Sequence, residues 1–329
     1  MSGAEAVGST VGRASPESPV RTIFFGSGSF AVPILDALAA VPGVGLVAVL
    51  SAPDRSVGRK AIPTPTPVTV RAGDLGLPTL KPERVRRPEL VEALRELAPD
   101  LIVLADYGQL IPRVLIELPP RGFLNLHPSA LPRWRGAAPI PATILAGDTE
   151  SAVTLMVLTE EMDAGPIVAT EPLEVWPDDT AVTLEERAAE AAARLLRRAL
   201  PEWLAGALVA RPQPAEGVTL TRPLRREDGL LDPRRTAAEL ERQVRAYQPW
   251  PGSFVETSAG RLIACRAHVW PAEPDDLAGQ LVAVGRDGLA LATASGRLVL
   301  DEVQLAGRKR GPAADLRRGY PRLVGAPVR

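Results

Sequence analysis

Asn125 and His127 stand two residues apart at the carboxyl end of the apolar run Phe123–Leu126. On a strand, residues at that spacing project to the same face. One side chain offers an amide donor, the other an imidazole whose unperturbed pKa is near ~6.5. Together they can polarise a carbonyl and manage a proton. The chain leaves the run through Pro128 and Pro132, which fix φ and stiffen the loop. A second polar segment, Thr159–Ile167, holds Glu160, Glu161 and Asp163 before a Gly165-Pro166 turn. A carboxylate from it near His127 would orient the ring and stabilise its protonated form. Spacing alone does not choose among the three acids.

Other chemistry is less well supplied. Gly26-Ser27-Gly28-Ser29-Phe30-Ala31 fits the loose dinucleotide fingerprint between a strand and a helix, and Asp54 follows the second strand where a ribose-binding acid would stand. No hydride-transfer constellation accompanies it, and glycine is the ordinary choice for a tight turn. Ser129 lies near His127 but in a proline-bounded loop with no nucleophile elbow. One cysteine, Cys265, and two separated histidines, His127 and His268, make no metal site, and none is expected. Arg55, Arg59 and Lys60 in one loop, Arg133 and Arg135 beside Trp134, and Arg308, Lys309 and Arg310 are candidate phosphate contacts.

Several elements must position these groups. Thr22–Phe25, Leu46–Leu50, Leu101–Ala105, Phe123–Leu126 and Val153–Leu158 read as buried strands. Helical segments alternate with them: one after the first glycine turn, with Ser29 as cap and Pro33 in its first turn, then Val68–Leu75, Glu89–Leu97 and Thr183–Leu200. That alternation predicts an α/β fold, a Rossmann-like doubly wound parallel sheet with helices on both faces, over residues 20–205. Residues 211–223 carry three prolines and no clear period, which suits a linker over 206–222. From 223 to 329 the sequence offers one amphipathic helix, Thr236–Ala246, then short alternating runs at Leu262–Ala267, Gln280–Val284, Leu289–Ala292 and Leu298–Leu305, predicting a smaller β-barrel.

Bulk properties bound the rest. At 46% hydrophobic and 23% charged, the 329-residue chain falls in the globular range and is long enough for two cores. A net charge of −1 excludes a wholly cationic nucleic-acid binder. Residues 206–329, however, hold 19 Arg and Lys against 14 Asp and Glu, so the second half could face phosphates. A single cysteine fits a reducing, cytoplasmic setting, and no apolar run reaches membrane-spanning length. Residues 1–19, rich in Gly, Ser, Ala and Pro without an apolar segment, read as a disordered tail rather than a signal peptide.

The run Asn125-x-His127-x-Ser129-x-Leu131-Pro132-x-x-Arg135-Gly136-Ala137-Ala138-Pro139-Ile140 closely resembles the methionyl-tRNA formyltransferases, within the wider 10-formyltetrahydrofolate transferases marked by Asn-x-His and a later Asp. Further matches are Phe25–Ala31, Pro53-Asp54-Arg55, Tyr107–Pro112, Asp163–Ile167 and Pro249–Gly252, so the likeness spans roughly residues 21–325 in order. It implies a formyltransferase domain, a linker and an OB-like tRNA-binding domain, and assigns the glycine turn to fold geometry. It implies Asn125, His127 and Asp163 as the catalytic trio, with Ser129, Ala130, Leu131 and Pro132 lining a folate site. The co-substrate would be 10-formyltetrahydrofolate, the acceptor methionyl initiator tRNA, and the enzyme a monomer needing no metal. Arg55, Arg59, Lys60, Arg308, Lys309 and Arg310 would face the tRNA.

Some positions depart from the family pattern. Asp106 stands where a small apolar residue is common, and the loop after Arg59-Lys60 carries fewer basic residues. Leu220–Leu224 and Leu231-Asp232-Pro233 replace a Tyr, a Lys and an Ile-Asp-Trp run. Alternative readings are a formyltransferase acting on a nucleotide-sugar amine, a hydrolase using water, a nicotinamide oxidoreductase, and a non-catalytic RNA-binding protein.

Overall fold

The computed structural model describes residues 18–57 and 62–328. The expected tail, apart from its last two residues, and the candidate contacts Arg59 and Lys60 lie outside the described residues.

The first half follows the predicted alternation. In chain order it contains β1 (Val20–Gly26), α1 (Ala31–Ala39), β2 (Val44–Leu50), β3 (Arg55–Val57), β4 (Ile62–Thr64), α2 (Pro67–Asp74), β5 (Thr79–Leu80), α3 (Pro88–Glu96), β6 (Leu101–Ala105) and α4 (Arg113–Ile116). It continues with β7 (Phe123–His127), β8 (Arg135–Gly136), α5 (Pro139–Ala146), β9 (Glu150–Val157), β10 (Ile167–Glu174) and α6 (Ala181–Leu204). Seven strands form one sheet in the order β10-β9-β7-β6-β1-β2-β5. Pleat alternation divides its side chains. Phe24, Val103, Leu124 and Leu126 pack with α1, α5 and α6 on one face, whereas Ile23, Phe25, Ile102 and Phe123 pack with α3 and α4 on the other. Each core excludes water from a continuous apolar layer, the main stabilising contribution for such a domain.

Two local expectations need correction. The sheet is not wholly parallel: β9 runs antiparallel to both β7 and β10. His127 at the end of β7 lies opposite Thr154, so β9 enters from beyond the carboxyl end of β7. The long loop after β7 and the eight-residue α5 stay near that end instead of returning the chain across the sheet, and the next strand must run backward. Ser29 does not cap α1, because Phe30 occupies the cap position in αR geometry with no side-chain bond, and the Ser29 hydroxyl donates to Glu185 at 2.7 Å.

The second half contains β11 (Leu220–Thr221), α7 (Ala237–Ala246), β12 (Ser253–Thr257), β13 (Gly260–Trp270), β14 (Leu281–Val284), β15 (Gly288–Ala292), β16 (Arg297–Leu305), β17 (Gly311–Pro312) and α8 (Ala313–Gly319). Strands β12 to β17 make a curled antiparallel sheet, a half-barrel whose order is β12-β13-β16-β15-β14 with β17 on β16. Register shifts around Arg266 bend β13, as bulges do. Thr236 and Glu239 form a capping box that starts α7, whose Leu240 and Val244 fill the curl beside Leu262, Leu281 and Leu298. The same helix joins the halves: Arg242 donates to the carbonyl of Leu145 at 3.1 Å and Arg245 to that of Asp179 at 2.8 Å.

The segment expected to be a plain linker is not structureless. Leu220 and Thr221 pair in parallel with Arg135 and Gly136, so β11 and β8 form a small second sheet against the first domain. Pairing of such short strands has no period to read in a proline-rich sequence.

Candidate active site

Strand β7 carries Asn125 and His127 to the α3/α4 face of the sheet, both buried. The loop between β9 and β10 brings Asp163 over the same face. Asn125 Nδ2 donates to Asp163 Oδ1 at 3.3 Å, and the backbone N–H of Gly136 donates to Asp163 Oδ2 at 2.8 Å. His127 Nδ1 lies 3.7 Å from that second oxygen. The other ring nitrogen, Nε2, is 2.9 Å from the carbonyl oxygen of Trp134. A carbonyl only accepts, so Nε2 bears hydrogen and the neutral ring has its lone pair on Nδ1, facing Asp163. Of the acids available on that loop, only Asp163 reaches the ring: Glu161 points outward, 3.6 Å from Arg135.

The local backbone explains why these residues meet. Among the described residues, four non-glycine residues have left-handed φ, and three frame this site: Asp106 (51°), Trp134 (61°) and Asp163 (47°). Each such conformation costs of order 1–3 kcal/mol, and persists only where the surroundings over-determine it. Gly165 supplies the close approach behind Asp163, since a Cβ there would lie 1.8 Å from the Val157 carbonyl oxygen.

The loop Ser129–Pro132 is fastened from within. Ser129 is buried and its hydroxyl donates to the Arg133 carbonyl at 2.7 Å, while Thr154 donates to the Ser129 carbonyl at 2.7 Å. Leu131 is buried, Pro132 half-buried after a cis bond, and Ala130 exposed. Ala130 is thus the member of this stretch with the most open surface, and Ser129 serves the loop's own shape. Arg133 and Trp134 both donate to Asp148.

Asp106, at the end of β6, lies against the first glycine turn. A Cβ on Gly28 would sit 1.9 Å from its Oδ2. Its carboxyl is open to solvent in the cleft yet closely walled by protein. Desolvation, then the charge of Glu185, raise its pKa, and the Gly28 N–H partly opposes them. A dinucleotide phosphate at this turn would meet that carboxylate, and the proposed ribose acid Asp54 is paired with Lys81 at 2.7 Å. Beside Asp106, burial pushes the Tyr107 hydroxyl up to about 12, where its ring packs edge-on to Phe25.

Sequence reasoning missed a second tier of polar groups from the inter-domain segment. Gln213 accepts from Arg135 Nε and Nη2 at 3.0 and 2.9 Å and donates to the carbonyls of Asp163 and Gly165, each at 2.8 Å. Thr219 accepts from the Trp134 N–H at 2.7 Å, and Thr221 accepts from that of Ala138 at 3.0 Å. Isolated polar residues between prolines give no signal of this in sequence.

The basic candidates are distributed over both halves. Arg55 is exposed on β3; Arg308 and Lys309 are exposed after β16, and Arg310 is paired with Glu302 at 2.5 Å. A cavity of about 430 Å³ between the halves is walled by Trp176, Arg242 and His268 and does not include the trio. Among the described residues there is no cluster able to hold a metal, and no helix is long and apolar enough to cross a membrane.

Comparison with known proteins bears on this geometry. Residues 20–200 match the family described as formyl transferase, and residues 223–321 match the formyl transferase C-terminal domain. The chain is 44% identical over 304 residues to a methionyl-tRNA formyltransferase of Thermus thermophilus, covering 92% of this chain and 96% of that one. It is 42% identical to that of Halorhodospira halophila, covering 94% and 99%. The fold resembles WlaRD, a sugar 3N-formyl transferase solved in the presence of dTDP and 5-N-formyl-THF, with a TM-score of 0.63 at 14% identity over 88% of this chain and 99% of that one. It also resembles HypX from Aquifex aeolicus, with a TM-score of 0.61 at 18% identity over 93% and 48%. Both halves match along nearly their whole length and in the same order, and the chain belongs to the formyl transferase family, among the methionyl-tRNA formyltransferases.

Proposed function

We propose that this chain transfers the formyl group of 10-formyltetrahydrofolate to the α-amine of methionine on initiator tRNA, in the cytoplasm and as a monomer. Family membership at over 40% identity supports the reaction. The single observation that supports the site assignment is the meeting of Asn125, His127 and Asp163 on one face of the sheet, with the Asp163 carboxylate 3.3 Å from Asn125 and 3.7 Å from His127.

In the transfer, a bond forms between the amine nitrogen and the formyl carbon, the bond from that carbon to the carrier nitrogen breaks, and one proton passes from the first nitrogen to the second. Asn125 spends one amide hydrogen on Asp163 and has the other free to donate to the formyl oxygen as it gains negative charge. His127 offers Nδ1: as a lone pair it accepts the amine proton, and once protonated it is held by Asp163 and returns the proton to the departing nitrogen. Trp134, by taking Nε2–H, fixes which nitrogen faces the reaction. No covalent enzyme intermediate is needed. The loops Asp106–Ile111 and Ala130–Pro132 leave the carboxyl ends of the parallel neighbours β6 and β7, and the folate carrier would bind between them. Open sheets bind ligands at that edge.

In this reading residues 20–205 perform the chemistry, 206–222 connect, and 223–329 hold the tRNA together with Arg55, Arg59 and Lys60. Among the described residues no acid pairs with Arg308 or Lys309, which suit phosphate; Arg310 must release Glu302 to do so. The test is to supply 10-formyltetrahydrofolate with methionyl initiator tRNA, elongator tRNA or an aminosugar nucleotide. N-formylmethionyl initiator tRNA is the expected product, and formyl transfer to the sugar alone would overturn the assignment.

A further inference from the structure

The geometry points to Gln213, in the segment between the two domains, as a positioning residue for the reaction: its amide sets where Asp163 stands relative to His127. The inference rests on the reading above that Asp163 serves His127.

Gln213 uses both ends of its side chain on opposite walls of the site. Its oxygen receives two N–H bonds from Arg135, which is buried in β8, and its nitrogen gives hydrogen bonds to the carbonyls of Asp163 and Gly165. It therefore clamps the residue next to Gly136, whose N–H holds the Asp163 carboxylate, to the backbone of Asp163 itself. The clamp is anchored on both sides in sequence. Arg211 exchanges backbone bonds with Ile167 at 2.7 and 2.8 Å, and β11 pairs with β8. Asp163 is in left-handed backbone geometry at φ 47°, in a turn where the Ala164 N–H donates to the Glu161 carbonyl at 3.3 Å and the bonds from Gln213 add to that hold. Removing two bonds to its turn lets it relax toward ordinary φ and withdraw the carboxylate.

Gln213→Leu removes all four bonds while keeping bulk. Gln213→Glu keeps the acceptors for Arg135 but sets a carboxylate against the carbonyls of Asp163 and Gly165, separating the two halves of the clamp. For both variants we expect kcat for formyl transfer to fall about 10- to 100-fold, the scale of an ångström-level misplacement. KM for folate and for tRNA should stay within about threefold, since a residue that acts only by positioning Asp163 leaves substrate binding in place. In an Asp163→Ala background, Gln213→Leu should cost almost nothing more, because its effect passes through Asp163. A kcat within twofold of the parent, or an undiminished loss in the Asp163→Ala background, would overturn the inference. Amide exchange at Gly136 reads the same clamp without any turnover and should quicken in both variants. Unchanged exchange would also overturn it. If the unmodified protein transfers no formyl group to tRNA, it is the proposed function that fails, and the exchange measurement still decides the role of Gln213.

Discussion

His127 and Trp134 are joined by a 2.9 Å contact from a ring nitrogen to a backbone carbonyl, and this fixes the imidazole's neutral tautomer. Nε2 is occupied, so only Nδ1, turned to Asp163, can exchange a proton with a substrate. Replacing His127 with Ala should lower kcat by about 10²–10⁴, the usual worth of general acid–base help, with tRNA affinity retained. Single-turnover formylation and a filter-binding titration read the two quantities. A variant with parental turnover would show that the ring is structural.

Asn125→Ala tests the oxyanion donor separately. Loss of one well-placed donor costs about 10²–10³ in kcat. The change also strips Asp163 of a partner, so the comparison with Asp163→Asn is informative. Asparagine tolerates left-handed φ, and this second variant should keep its melting temperature while losing activity. Equal activity in all three proteins would remove the trio from the mechanism.

Gly165→Ala should disturb both stability and chemistry. The added methyl group would meet the Val157 carbonyl oxygen, a backbone atom that cannot swing aside. Overpacking of this kind costs about 1–3 kcal/mol or more. Urea melts together with kcat would record the destabilisation and the accompanying shift of Asp163. A silent substitution would mean that the turn is looser than its contacts imply.

Asp106 makes stability depend on pH in a defined direction. Its folded-state pKa lies above the ordinary value of 3.8, through desolvation and Glu185. The ionised group therefore weighs against folding at neutral pH, and that penalty fades as pH falls through the folded value toward the unfolded one. Asp106→Asn keeps an acceptor for Gly28 and removes the charge. It should melt higher than the parent at pH 7, with the gap closing toward pH 4. A gap that widens on acidification would contradict this account.

Much of this arrangement is legible in sequence. β1, β2, β6 and β7 are apolar runs that stop at polar or glycine positions, and the pairing of Asn125 with His127 follows from strand alternation alone. Asp163 is different. Three acids share its loop, and what selects it is a left-handed turn closed by Gly165 against Val157, a contact made across the hairpin. The reversal of β9 depends on where α5 lies, which eight helical residues do not declare. Gln213, Thr219 and Thr221 act through side-chain hydrogen bonds from an aperiodic segment, so neither spacing nor hydropathy marks them.

The short parallel pairing of β11 with β8 also has a consequence for modularity. The two family regions end at 200 and resume at 223, and the strip omitted between them braces Trp134, Arg135 and Ala138. A chimera that exchanged the half-barrel for that of a distant relative, with its own preceding residues attached, would replace part of the wall behind Asp163. The seam for grafting a new RNA-binding half onto this chain therefore lies after Thr221, not at the end of the long helix.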